Sequence, residues 1–253
     1  MSDTKPQDQP DQTSQPPKRV LIVMAHPDDG EFSCAGTVAR WAAEGRDIHY
    51  CLVTDGQVGD AGDTEITSER LAEVRRVEAQ AAADAQGVQH PVIFLHYMDS
   101  RLEPTLDVRR DIARVIRQVK PDVVICQDPT VRWSGQGYIN HPDHRAAGEA
   151  TLAAIMPVAS TRLAFPELAA EGLAPHNVRE VYITGTQNAD RWVETGAYLD
   201  QKIAALRCHK SQLRDWDPGE PMRQWARESA NTARKHGHDM EYAEGFKYIK
   251  LED

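Results

Sequence analysis

An open, mostly parallel β-sheet sandwiched by α-helices is the α/β architecture that this sequence predicts. Three observations carry that expectation. Five short apolar runs, at residues 20–25, 48–54, 92–96, 123–126 and 181–184, are mostly continuous rather than alternating, as in strands covered on both faces. Helix-like segments lie between them, so strand and helix alternate along the chain. Polar, chemistry-bearing residues follow directly after the runs, and the strands' carboxyl ends are where open α/β sheets bind ligands.

Each element has its own signal. Residues 36–44 follow the first strand as a helix. Residues 67–86 form a long Ala-, Arg- and Glu-rich helix, with Gly87 as its stop. Residues 107–119 carry Val108, Ile112, Val115, Ile116 and Val119 at helical spacing, and Pro121 ends the pattern. Further helices are expected at 145–155 and 198–214, while the Trp-, Arg- and His-rich stretch 215–240 has no clear assignment. Residues 56–65 and 129–140 read as long loops that line a cleft.

Composition narrows the function. A formal charge of −10 argues against nucleic acid or anionic membrane as the main partner. No apolar stretch approaches the roughly 18 residues of a transmembrane helix. Residues 1–18, rich in Pro, Gln and Asp and without an apolar core, read as a disordered tail rather than a signal peptide. Residues 19–253 are then one domain. Cys34, Cys51, Cys126 and Cys208 are not at metal-ligand spacing, which suits free thiols and a cytoplasmic protein.

Two short segments carry the chemistry. Residues 25–29, AHPDD, end the first strand with one imidazole and two carboxylates. Residues 141–145, HPDHR, open a helix, where positions i and i+3 share a face. Two histidines and a carboxylate make an open metal site with room for water. Adjacent side chains diverge, so one Asp of the pair can bind metal while the other faces the water. Either segment alone is equally well a turn, because Asp caps helices and Pro favours extended geometry. Non-haem iron(II) uses the same donors, so spacing leaves the metal open.

These segments resemble the PIG-L/LmbE-like N-deacetylase family, which includes mycothiol- and bacillithiol-pathway deacetylases and GlcNAc-phosphatidylinositol deacetylases. The matching stretches are AHPDDGEF (25–32), TDG (54–56), VRRVEAQAAADAQGV (74–88), KPDVVICQDP (120–129), HPDHR (141–145), FPELAAEGLAPHNVREVYITGT (165–186) and KIAALRCHKSQ (202–212). The similarity runs from about Arg19 to Phe246. It implies a Rossmann-like fold and a zinc-dependent amide hydrolase acting on an N-acetylated amino sugar or its conjugate. It also implies that His26, Asp29 and His144 hold Zn2+ (Fe2+ being possible in the same site), that Asp28 is the general base, and that His141 steadies the oxyanion. Arg75 and Asp99 resemble substrate-contacting residues, and homo-oligomers are common among such proteins. The alternative within the same chemistry is an amidase acting on a larger acyl or thiol-conjugate amide. In the usual pattern Glu directly follows the Asp pair; here Gly30 intervenes before Glu31.

Among the remaining histidines, His49, His90, His96, His176, His236 and His238 are expected to be structural or solvated, and His209 is balanced between the two roles. Trp133 is balanced between sugar stacking and closing a small core. Cys34 lacks a partner base and is not expected to be a nucleophile.

Overall fold

The computed structural model describes residues 19–59 and 62–252; the expected disordered tail, residues 1–18, lies outside them. The strands are β1 (Arg19–Met24), β2 (Asp47–Thr54), β3 (Ile93–Tyr97), β4 (Val123–Gln127), β5 (Trp133–Ser134), β6 (Tyr138–Ile139), β7 (Glu180–Thr184), β8 (Arg191–Glu194) and β9 (Ala243–Lys250). Seven of them form one sheet in the order β3-β2-β1-β4-β7-β9-β8. β1 is an interior strand and pairs in parallel with β2 and β4, so Val23 sits between Cys51 and Cys126. Only β9 runs antiparallel to its neighbours β7 and β8.

The continuous apolar run of β1 is explained by its two covered faces. Val20, Ile22 and Met24 pack on one side with Val38, Trp41, Ala79 and Ala83. These belong to α2 (Ala35–Ala43) and α3 (Ser68–Ala85), which follow the short α1 (Asp29–Ser33). Leu21, Val23 and Ala25 pack on the other side with Val108, Ile112, Ala146 and Ala150, from α4 (Leu106–Val119) and α5 (Pro142–Ala153). Each such side chain, fully withdrawn from water, contributes roughly 1.5–3 kcal/mol of hydrophobic stabilisation.

Caps set the helix limits. Thr67 accepts from the Arg70 amide at the start of α3, and Thr105 accepts from Val108 at the start of α4. Gly87 follows α3 at φ 83°, a left-handed value that glycine adopts without strain. α5 lies close against the sheet: a Cβ on Gly148 would stand 2.2 Å from the Gln127 carbonyl oxygen at the end of β4. Glycine is what lets this helix reach the strand end.

The chain continues through α6 (Pro166–Ala170), α7 (Leu199–Leu206), α8 (Lys210–Leu213) and α9 (Gly219–Lys235). Three expectations change here. The single helix at 198–214 is divided into α7 and α8, because the chain turns at His209 to bury that side chain completely. The unassigned stretch 215–240 contains α9, whose Met222, Ala226, Ala230 and Ala233 form its buried face. The loop at 129–140 holds the two-stranded hairpin β5–β6, in which Trp133 pairs with Ile139. β8 and β9 were not anticipated. Glu244, Lys247 and Lys250 interrupt the apolar signal of β9, although Glu244 is buried and paired with Lys202 Nζ at 2.6 Å.

Candidate active site and metal centre

The AHPDD segment leaves the carboxyl end of β1 and turns at once into α1. Asp28 makes that turn at φ 94°, a strained value for a residue with a side chain. The turn is held on one side by Asp29, whose Oδ2 accepts from the His26 amide at 2.8 Å. On the other side, Arg75 of α3 donates to both the Pro27 carbonyl and Asp28 Oδ2, the latter at 3.0 Å. Arg75 also donates to the Gly56 carbonyl. The TDG segment has a steric reason for its glycine: a Cβ on Gly56, itself at φ 66°, would fall 2.2 Å from Arg75 Nη1.

The second segment arrives on the first turn of α5. His141 caps this helix, its Nδ1 accepting from the Asp143 amide at 3.2 Å. That acceptor role places the proton of the neutral ring on Nε2. Burial and the neighbouring His26 push the His141 pKa down, which favours this neutral form. His144 turns Nε2 toward Asp29 Oδ1 at 3.0 Å, while its Nδ1 meets Asn140 Oδ1, also at 3.0 Å.

Asp29 therefore ties the two segments together, with His144 on one oxygen and His26 Nδ1 at 3.4 Å from the other. Burial opposes its charge, yet His144 and His26 hold its carboxyl well below the usual range. Behind His26, Asp99 and Asp143 both approach Nε2 at 3.2 Å. Burial works against charging this imidazole, but Asp29, Asp143 and Asp99 together raise its pKa well above the ordinary value. Three carboxylates around one buried imidazole leave a site short of positive charge, which suits a cation. In this cleft, two groups have their potential donor atoms within 4.8 Å of one another, His26 with His141 and His144, and His26 with Asp99 and Asp143.

The remaining expectations find definite places. Asp28 is pushed up to about 6 chiefly by burial, against which the Arg75 charge pulls it down. Arg75 borders the cleft, but its guanidinium is taken up by Asp28 and main-chain oxygens and is only 3% exposed. Asp99 also borders the cleft; it accepts from the Val58 amide as well as facing His26, and sits at about 2, its bond and charge contact with His26 overcoming the cost of burial. Gly30 lies against the Tyr50 ring, where a Cβ would come within 2.8 Å. Glu31 is thereby turned inward to meet Gln86 and His209. His209 is thus a buried support beneath α1.

Cys34 is fully buried, and burial pushes its thiol pKa up, away from nucleophilic use. His49 and His90, expected to be structural or solvated without such partners, stack on each other and share Asp47. Trp133 closes no core, being 64% exposed on the hairpin. Two contributors escaped the sequence reading. Asp143 is 1% exposed and accepts from the Ser100 and Leu102 amides while facing His26. Tyr138 leans over the cleft from β6. The repeated HPD pattern is a signal that could have flagged Asp143, whereas nothing in the loop's sequence marks Tyr138.

These residues surround a cleft of about 410 Å³, bordered also by Val58, Gly59 and Gln212. A neighbouring cavity of about 700 Å³ shares Asp29, Phe32, Tyr138 and His144 with it. Both long loops thus line the cleft, as the sequence predicts.

Residues 21–155, more than half of the chain, match the PIG-L family, described as GlcNAc-PI de-N-acetylase. The chain belongs to this family. Among PIG-L relatives, the diacetylchitobiose deacetylase of Thermococcus kodakarensis is 31% identical over 234 residues, covering 92% of this chain and 83% of its own. The 1D-myo-inositol 2-acetamido-2-deoxy-alpha-D-glucopyranoside deacetylase of Rhodococcus erythropolis is 32% identical over 226 residues, covering 80% and 70%. The solved structure of N,N'-diacetylchitobiose deacetylase from Pyrococcus horikoshii, complexed with its inhibitor MPG, superposes with a TM-score of 0.83 at 28% identity, covering 93% of this chain and 85% of that one. PIG-L membership makes the chain a hydrolytic N-deacetylase of α/β fold. Among the described residues, no helix is long and apolar enough to cross a membrane.

Proposed function

We propose that this protein hydrolyses the N-acetyl amide of an amino sugar or its conjugate, using a zinc ion held by His26, Asp29 and His144. The observation that carries the reading is Asp29, whose two oxygens face His26 and His144, with the His141 ring beside both imidazoles and Asp28 lining the same cleft. The other nitrogen of each imidazole is already tied, to Asp99 and Asp143 for His26 and to Asn140 for His144. Such outer partners fix ring orientation and raise donor strength in metal sites. Asp99 and Asp143 are occupied by main-chain amides as well, and so support the site from behind.

The donor set fits zinc, with Fe2+ the other cation of matching preference. When bound, the metal supplies Lewis-acid polarisation and a water acidified to a pKa of about 7. The chain's own residues supply the rest. Asp28, in its carboxylate form, takes a proton from the attacking water as oxygen bonds to the amide carbon. His141 directs Nε2–H at the carbonyl oxygen as negative charge builds there. When the C–N bond breaks, the nitrogen leaves as a free amine carrying a proton returned from the site, and the acyl group leaves as acetate.

The names of the relatives support an N-acetylglucosamine-type substrate. Incubating the zinc-loaded protein with a panel of N-acetylglucosamine conjugates, and assaying acetate and new amine together, tests the reading. Equimolar release of both, lost on chelation and restored by zinc, is the expected result. A larger acid in place of acetate would assign the site to an amidase.

A further inference from the structure

The end of the sheet opposite the cleft holds a second gathering of metal-donor side chains. Asp47 opens β2, His49 follows two residues later, and His90 lies in the loop between α3 and β3. Their donor atoms stand within 4.8 Å of one another. None of the three borders the cleft. At about 3.3 Å per residue, the length of β2 sets them roughly 25 Å from the strand ends that AHPDD leaves.

Strand geometry builds half of the group. Side chains at i and i+2 leave a strand on one face, so Asp47 and His49 project together, while Ile48 and Tyr50 are buried on the other. His90 is delivered by a loop pinned on both sides of it. Val88 is buried in the core, and the Val92 amide donates to Gln80 Oε1 at 2.9 Å. Pro91 further narrows the backbone freedom of His90.

The imidazoles of His49 and His90 stack, with centroids 3.9 Å apart and planes within 12°. Both turn Nε2 to the same oxygen, Asp47 Oδ1, at 3.1 Å and 2.6 Å. Donors on a tetrahedral zinc, each about 2.0–2.1 Å from the ion, stand about 3.3 Å from one another. The two separations are close to the edges of such a shell, and a small side-chain rotation opens the shorter one.

Charge balance does not call for two histidines here. Asp47 Oδ2 accepts from Arg19 Nε at 2.9 Å, and Arg19 Nη1 is tied in turn to the Val119 carbonyl at 2.8 Å. Arg19 thus answers the carboxylate charge and fixes its orientation, as outer partners do around metals. Oδ1 is left to face the two imidazoles. The His90 side chain is 42% exposed, so ions reach the group and water can complete a shell.

We propose that Asp47, His49 and His90 form a second metal site, taking zinc or a divalent first-row ion of like preference through Oδ1 and the two Nε2 atoms. An ion held this way clamps the loop between α3 and β3 to the amino end of β2. The proposal does not depend on the deacetylase reading.

The test strips the full chain, free of any affinity tag, with a chelator, dialyses it against zinc and compares it with His90→Ala and His49→Ala by elemental analysis. The wild type is expected to hold two equivalents and each variant one, with acetate release unchanged. If the cleft holds none, the counts become one and none, so failure of the deacetylase reading and failure of this site are told apart. Affinity at the site should fall about 100-fold or more in each variant, since losing a donor costs at least as much as losing an outer partner. Equal zinc content in the wild type and either variant overturns the inference. A second readout needs no substitution. Zinc should block modification of His90 by diethylpyrocarbonate in the wild type, followed by peptide mass spectrometry, and an equal rate with and without zinc overturns the site as well.

Discussion

Arg75 donates to Asp28 Oδ2 at 3.0 Å from within α3, so the proposed base is held by a cation that the cleft itself buries. The contact does two things at once. It braces, together with Asp29, a turn made at φ 94°, and it favours the carboxylate form that can accept a proton.

Arg75→Met should therefore move the acid limb of kcat/KM to higher pH. The sign follows from the charge: Arg75 lowers the Asp28 pKa against a burial effect that raises it. Without the cation, Asp28 stays protonated over more of the acid range, and activity returns as pH rises. The loss should be roughly fivefold greater at pH 6 than at pH 8. A pH–rate profile checks this, with zinc content and thermal melting confirming a folded, loaded protein. A uniform loss at every pH would assign Arg75 to substrate contact instead.

Asp28→Asn keeps the size of the side chain and removes its capacity as a base. Acetate release should fall about 10²–10⁴-fold, while bound zinc, measured by elemental analysis, remains near one equivalent. Near-wild-type turnover would exclude Asp28 as the base.

His141→Ala should lower kcat by about 10²–10³-fold with a small effect on KM. The donor it removes acts most strongly when charge develops on the carbonyl oxygen. Steady-state kinetics on a monosaccharide amide separates the two parameters. A loss confined to KM would show that His141 only binds the ground state.

Asp143→Ala tests the support behind His26. Removing it frees His26 Nε2 from one of its two carboxylate partners and leaves the Ser100 and Leu102 amides without their acceptor. Zinc affinity should weaken about 10–100-fold, read by competition with a chromogenic chelator. Unchanged affinity would make Asp143 purely a helix-to-loop tie.

The parallel half of the fold was legible because β1, β2 and β4 are buried on both faces and so appear as unbroken apolar runs. The AHPDD and HPDHR segments could be placed near each other for the same reason, since strand ends and helix starts converge at one edge. β9 carried too many charges to be read as a strand, because Glu244 is buried only through its pairing with Lys202 and the Gly36 and Thr37 amides. Asp143 could not be given its place from local pattern, since its partners Ser100 and Leu102 come from a distant loop. Spacing alone did not separate Asp28 from Asp29 either. Their difference lies in surroundings, with Arg75 beside one and His26 and His144 beside the other.

Gly148 resting on the Gln127 carbonyl has a consequence for the width of the site. The helix that delivers His141 and His144 is stacked on the strand end backbone to backbone, with no side chain as a spacer. At this point main chain alone sets the distance between the two halves of the site, while Ala146 and Ala150 complete the contact with the sheet. A side chain at position 148 would push the helix that carries both histidines away from the strand end and open the site.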